Sequence, residues 1–158
     1  MYPRIVKLMG GLALNAESIK LFIGIASKPV KNEVEKGAIR KFADAIGDPN
    51  PLFRSEESAR HSRYGKIVAP PTFCRTFDYG EIPELNLNKD GVIHGEQAFE
   101  YYRPILAGDV LYCSTKLADV REKTGNTGRM IMLVYEQVAV NETEEIVVRG
   151  KSTVIYRG

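Results

Sequence analysis

The stretch RMIMLVYEQVAV (129–140) limits the folds open to this chain more than any other. Its alternate positions are apolar on both sides, with Met130, Met132 and Val134 against Ile131, Leu133 and Tyr135. Successive side chains of a strand point to opposite faces, so this strand has to be covered twice. A helix can cover one face. With 158 residues the chain supports one domain around a single core, and the remaining face points to a second subunit.

Other strand signals surround it. VIHGEQAFEYYRP (92–104) stops at Pro104, and GDVLYCSTKLADVRE (108–122) follows a Gly108-Asp109 turn. TGNTG (124–128) is a hairpin or loop signal. It lacks the strand-loop-helix setting that a phosphate cradle needs. EIVVRGKSTVIYR (145–157) follows NETE (141–144) and closes a meander of about four strands.

Upstream, KPVKNEVEKG (28–37) alternates weakly and suits a strand. AIRKFADAIG (38–47) sets Ile39, Phe42, Ala43 and Ile46 at helical spacing. Gly47 suits the left-handed position after that helix, and Pro49 and Pro51 forbid its continuation. In SEESARH (55–61), Ser55 can cap a short helix with acids in its first turn. His61 then compensates the dipole at its end. IVAPPTFCRTFDYG (67–80) predicts a second helix, with Pro71 at its first position, Thr72 capping it and Phe73, Cys74 and Phe77 on one face. The sum is an α+β architecture in which an apolar helix packs into a curved antiparallel sheet.

The formal net charge of +2 is too small for the dense basic patch of a nucleic-acid binder. Arg60, His61, Arg63 and Lys66 cluster, yet Glu56 and Glu57 precede them, as on a solvated helix end. Two cysteines, Cys74 and Cys113, sit in apolar segments without Cys-x-x-Cys spacing. They read as buried free thiols in a reducing cytosol rather than metal ligands. The N-terminal LMGGLALNA (8–16) is too short and too glycine-containing for a signal peptide, and no apolar run spans a bilayer. A cytoplasmic protein is expected, with residues 1–27 as a helical or partly disordered leader and 28–158 as the folded domain.

FADAIGDPNPLF (42–53), IVAPPTF (67–73), HGEQAFEYYRPILAGDVL (94–111) and GKSTVIYR (150–157) follow one another in an order that resembles the MaoC-like hydratase/dehydratase family. The resemblance covers about residues 28–157. It is strongest to the branch similar to the dehydratase region of type I fatty acid synthases, which includes non-catalytic-type subunits of (3R)-hydroxyacyl-ACP dehydratases. It implies a hot-dog fold, a homodimer or a heterodimer, and an acyl thioester of coenzyme A or acyl carrier protein as substrate, with no further cofactor. Active members interconvert trans-2-enoyl and (R)-3-hydroxyacyl thioesters with a Gly-Asp-x-Asn-Pro-x-His motif. Hydration needs a base for the water proton and an acid at the α-carbon. It also needs N–H donors facing the thioester oxygen.

Gly47, Asp48, Asn50 and Pro51 match that motif, but Phe53 stands at the histidine position. Pro70-Pro71 replaces a His-Gly pair of active members, and neither proline donates an N–H. The resemblance therefore places Asn50, Phe53, Pro71, Thr72 and Phe73 along the substrate and Asp48 at the chemistry. Asp48 also reads as a helix-stop residue bonding to turn N–H groups. His94 offers a replacement for the missing histidine, with Glu96 two residues on and on the same face of a strand. It reads equally as an edge-strand residue.

Two roles fit: half of a composite hydratase/dehydratase site completed by a subunit with the intact Asp/His motif, or a non-catalytic acyl-thioester-binding subunit. A self-sufficient homodimer using Asp48 and His94 is a variant of the first. A hot-dog thioesterase ranks last, since only Asp78 offers a carboxylate on the second helix.

Overall fold

The computed structural model describes residues 15–87, 92–125 and 128–157. Its sheet contains β1 (Val30–Glu33), β2 (Ile93–Tyr101), β3 (Val110–Gly125), β4 (Gly128–Val140) and β5 (Ile146–Arg157). All neighbours are antiparallel, in the order β1-β3-β4-β5-β2. Of the four strands expected as a meander, only β3, β4 and β5 lie side by side in chain order. Gly125 pairs with Gly128 across its first hairpin, and the intervening Asn126 and Thr127 of TGNTG lie outside the described residues. β2 returns to β5 and β1 flanks β3, so these two strands are the sheet's edges.

Helix α2 (Lys36–Ala45) lies where its apolar stripe demands, with Ile39 and Ala43 fully buried. These residues share a core with Val34, Phe53, Phe73, Leu111, Cys113, Ala139 and Val148. The helix stops as its sequence dictates. Gly47 adopts φ +70°, the Gly47 N–H donates to Asp44 O (3.1 Å) and the Asp48 N–H to Ala43 O (2.9 Å). Helix α3 (Glu56–Arg60) begins at Ser55, whose hydroxyl accepts from the Ser58 N–H. His61 follows that helix, and its Nδ1 lies 2.8 Å from Glu57 O.

A second apolar cluster joins Leu117, Val120, Ile131 and Leu133 of the sheet to Ala16, Ile19 and Phe22. Helix α1 (Ala16–Lys20), capped by the Asn15 side chain, thus packs on β3. The Ser27 hydroxyl donates to Tyr79 O (2.6 Å) and accepts from the Thr115 N–H (2.9 Å). Residues 15–27, expected as part of a leader, are built into the core, and residues 1–14 lie outside the described residues.

The expected helix over 67–80 is not formed. Only a 3₁₀ turn, Phe73–Thr76, stands there, and Phe77 is already extended. Pro70 and Pro71 remove two donors, and the Phe73, Arg75 and Phe77 N–H groups donate to Pro70, Thr72 and Cys74 O, three or fewer residues back wherever a helix would need four. Asn32 then takes over the backbone of Asp78, accepting from its N–H (2.8 Å) and donating to its carbonyl (2.9 Å). These bonds hold the segment against the β1 edge and outcompete helix propensity.

Candidate functional site

The corner at 47–53 is tied down by its own polar groups. Asp48 Oδ1 accepts from the Asn50 N–H (3.0 Å), and Asn50 Oδ1 accepts from the Leu52 N–H (3.0 Å) at the head of a 3₁₀ turn, Pro51–Phe53. Arg54 clamps the same loop: Nε and Nη2 donate to Asp48 O (3.2 and 2.6 Å), while Nη1 pairs with Asp44. Sequence reasoning missed Arg54, although a cation just beyond an Asp-rich helix end was available as a signal. Phe53 is only 7% exposed and packs in the core, so it backs the corner instead of standing on an open groove wall.

The Pro70–Phe73 segment meets this corner through aromatic rings. Phe42 of α2 and Phe73 stand edge to face with centroids 5.5 Å apart, and Phe77 continues the contact at 5.7 Å. The Phe73 N–H, a candidate oxyanion donor, is used on Pro70 O (2.9 Å). Thr72 is exposed, and its hydroxyl caps nothing, contrary to expectation. Tyr101 of β2 donates to Pro71 O and lies 3.0 Å from Cys74 Sγ, so the thiol proton points to the phenol oxygen. Tyr79 donates to Cys74 O (3.1 Å). Both cysteines are free and buried. Burial pushes both thiols up, Cys113 to about 12, which leaves them protonated and unreactive.

His94 and Glu96 do not share a face. His94 pairs with Val154 and Glu96 with Thr153, consecutive residues of β5 that point to opposite sides. A bulge between His94 and Glu96 breaks the alternation there. Gly95 sits in the bulge, where a Cβ would approach Ile155 Cδ1 to 3.1 Å; a glycine inside a strand was the signal. His94 Nε2 instead lies 3.4 Å from Gln97 Oε1, which also accepts from Arg75 Nη1 (2.9 Å). No hydrogen bond joins His94 to Asp48 among the described residues. Asp78, weighed as a helix carboxylate, lies in the loop beyond the 3₁₀ turn, where Oδ1 accepts from the Gly80 N–H (2.8 Å).

The corner therefore presents a carboxylate and an amide fixed beside an aromatic cluster, with no histidine within its own loop. No helix among the described residues is long and apolar enough to cross a membrane.

Residues 21–149 match the family model described as FAS1-like, dehydratase domain region. A UPF0336 protein of Thermobifida fusca is 39% identical over 136 residues, covering 82% of this chain and 87% of that protein. Among solved structures, a chain of the C-terminally truncated HadBC (3R-hydroxyacyl-ACP dehydratase) complex of Mycobacterium tuberculosis superposes with a TM-score of 0.74 at 27% identity. That match covers 85% of this chain and 97% of the other. The MaoC-like dehydratase of Rhodospirillum rubrum, at 23% identity and TM-score 0.68 over 89% of this chain and 96% of its own, shares the fold. The hot-dog-like α+β architecture, the motifs and these likenesses lead to one conclusion: the chain belongs to the FAS1-like dehydratase-domain family of MaoC-like proteins.

Proposed function

We propose that this chain is one subunit of an (R)-specific enoyl-thioester hydratase/3-hydroxyacyl-thioester dehydratase, working on acyl-CoA or acyl-ACP beside a partner that supplies an intact Asp/His motif. The observation that carries this reading is the corner itself. Gly47, Asp48, Asn50 and Pro51 keep the turn of the motif, whereas the histidine position holds the buried Phe53. A phenyl ring cannot move a proton. In this division of labour the partner's histidine and aspartate activate water and protonate the α-carbon. Asp48 and Asn50 stiffen their own loop, the buried Phe73 and its neighbour Phe42 pack behind it, and the exposed Pro71 and Thr72 are left to meet the acyl chain.

Two further observations support a partner. The solved relative with the highest TM-score quoted above is itself described as a complex, and so is the ChsH1-ChsH2 structure of Mycobacterium tuberculosis, which shares the fold. β2 is a nine-residue edge strand with Ile93, Tyr101 and the following Tyr102 exposed, and an unpaired edge of that length is a template for another strand. Purification of the tagged chain from its native host tests the reading. Recovery of a stoichiometric protein bearing Gly-Asp-x-Asn-Pro-x-His supports it, and recovery of the chain by itself, still active, contradicts it.

The non-catalytic reading draws on a different observation. Asp48 Oδ1 and the Phe73 N–H are both engaged in local hydrogen bonds. A purely binding subunit would be protected against heat by an acyl thioester, yet would leave the partner's turnover unchanged.

A further inference from the structure

Pro71 and Thr72 form a short exposed span between two buried posts, Pro70 on one side and Phe73 with Cys74 on the other. The posts are held from several directions. The Ala69 N–H donates to Ile105 O (2.8 Å), Tyr79 donates to Cys74 O (3.1 Å), and Phe73 meets the rings of Phe42 and Phe77. The span is held from one. The Pro71 carbonyl receives no backbone N–H, because the Phe73 and Arg75 N–H groups donate to Pro70 and Thr72 instead. Among the described residues the Tyr101 hydroxyl is the donor that reaches it, and no other hydrogen bond reaches Pro71 or Thr72 from outside the 70–76 segment.

That one bond has a directional consequence. The Pro71 carbonyl and the Thr72 N–H belong to a single planar trans peptide, so they point in opposite directions. A donor that fixes the carbonyl also fixes where the Thr72 N–H is aimed, and this N–H makes no hydrogen bond among the described residues. Tyr101 is suited to the task. Its ring lies 6.2 Å from that of Phe99 on the same face of β2. Its oxygen accepts the Cys74 thiol proton across 3.0 Å, which leaves its single O–H for Pro71. Desolvation and the Cys74 contact raise the phenol above its ordinary range, so it remains a donor at every physiological pH. A second strut, Arg75 Nη1 to Gln97 Oε1 (2.9 Å), joins β2 to the 3₁₀ turn without touching the Pro71–Thr72 peptide.

We infer that Tyr101 is a positioning residue: by fixing the Pro71 carbonyl, its hydroxyl sets the direction in which the Pro71–Thr72 peptide is presented to the acyl thioester. The substrate rests on the acyl-thioester reading above; the orientation of the peptide rests on the hydrogen bonds alone. Tyr101 acts through Pro71 and takes no part in the proton transfers. Because it is carried by the edge strand β2, the strand left open for a partner also holds the turn that meets the substrate.

The test compares the wild-type chain with Tyr101→Phe and Gln97→Ala, each in complex with the motif-bearing partner and acting on trans-2-octenoyl-CoA. Tyr101→Phe keeps the ring and loses the donor. It should raise KM about tenfold, the scale of one lost hydrogen bond, and leave kcat and the pH profile unchanged. Gln97→Ala, which cuts only the second strut, should leave KM where it is. In the isolated chain the Thr72 amide resonance should move in Tyr101→Phe and stay in place in Gln97→Ala. An unmoved Thr72 amide, or an equal rise in KM in Gln97→Ala, would overturn the inference. So would a lowered urea midpoint in Tyr101→Phe with KM unchanged, the mark of a merely structural bond. A wild-type complex inactive on the enoyl thioester, with the Thr72 shift present, would uphold the orienting bond and overturn the acyl-thioester reading instead.

Discussion

The corner at 47–53 and the strand at 93–101 both carry residues that the family resemblance connects with chemistry, and they are built in opposite ways. In the corner, each polar side chain is committed to a neighbour, Asp48 to Asn50, Asn50 to Leu52 and Arg54 to both Asp44 and Asp48, over a buried Phe53. In the strand, His94, Glu96, Glu100 and Tyr101 are exposed, one backbone edge is unpaired, and a bulge turns His94 away from Glu96. The corner is complete within one chain. The strand has the character of a surface that another chain finishes. Under the proposed two-subunit reading, the frame stays in this chain and the proton transfers fall to the partner.

That contrast can be broken most forcefully at Phe53. Phe53→Ala removes a core ring under the corner and should cost about 3–5 kcal/mol in urea unfolding; a loss below about 1 kcal/mol would mean that the ring is not a core residue. Alkaline pH attacks the neighbouring thiols. Burial holds Cys113 at about 12 and raises Cys74, above the unfolded value near 8.5. The folded state therefore retains protons that the unfolded state releases. Stability is fully present below about pH 8.5 and declines as pH rises toward 12. Urea midpoints measured upward from pH 8 should fall, and Cys113→Ala should flatten the slope.

Asp48 sharpens the comparison at a smaller scale. Asp48→Ala removes the acceptor for the Asn50 N–H and should cost about 1 kcal/mol, whereas Asp48→Asn retains an acceptor and should stay within about 0.5 kcal/mol. Equal losses in the two variants would show that the charge, not the turn bond, matters to the fold. The smallest effect belongs to the strand: His94→Ala should shift stability by less than about 0.5 kcal/mol and should leave the turnover of the two-subunit complex intact.

Where structure is local, the sequence was legible. Ile39 and Ala43 announce α2, Gly47 its left-handed stop, Ser55 the cap of α3, and the glycines at 125 and 128 the hairpin. The segment around Phe73 was not, because its conformation is set from outside. Asn32, distant in sequence, captures the Asp78 backbone, and Tyr101 captures Pro71 O. The face of His94 depends on one extra residue at Gly95, and a period-two pattern cannot report a bulge that shifts its own phase. The corner's chemistry was readable only as a motif with one residue exchanged; the physical consequence of that exchange, a ring buried behind the turn, required the fold.

The most direct test of the central claim follows the loss of enoyl-thioester absorbance with the chain purified to homogeneity, alone and after mixing with its motif-bearing partner. The account predicts no turnover alone and turnover in the mixture that is unaffected by His94→Ala in this chain. Turnover by the isolated chain, abolished by both Asp48→Asn and His94→Ala, would contradict it.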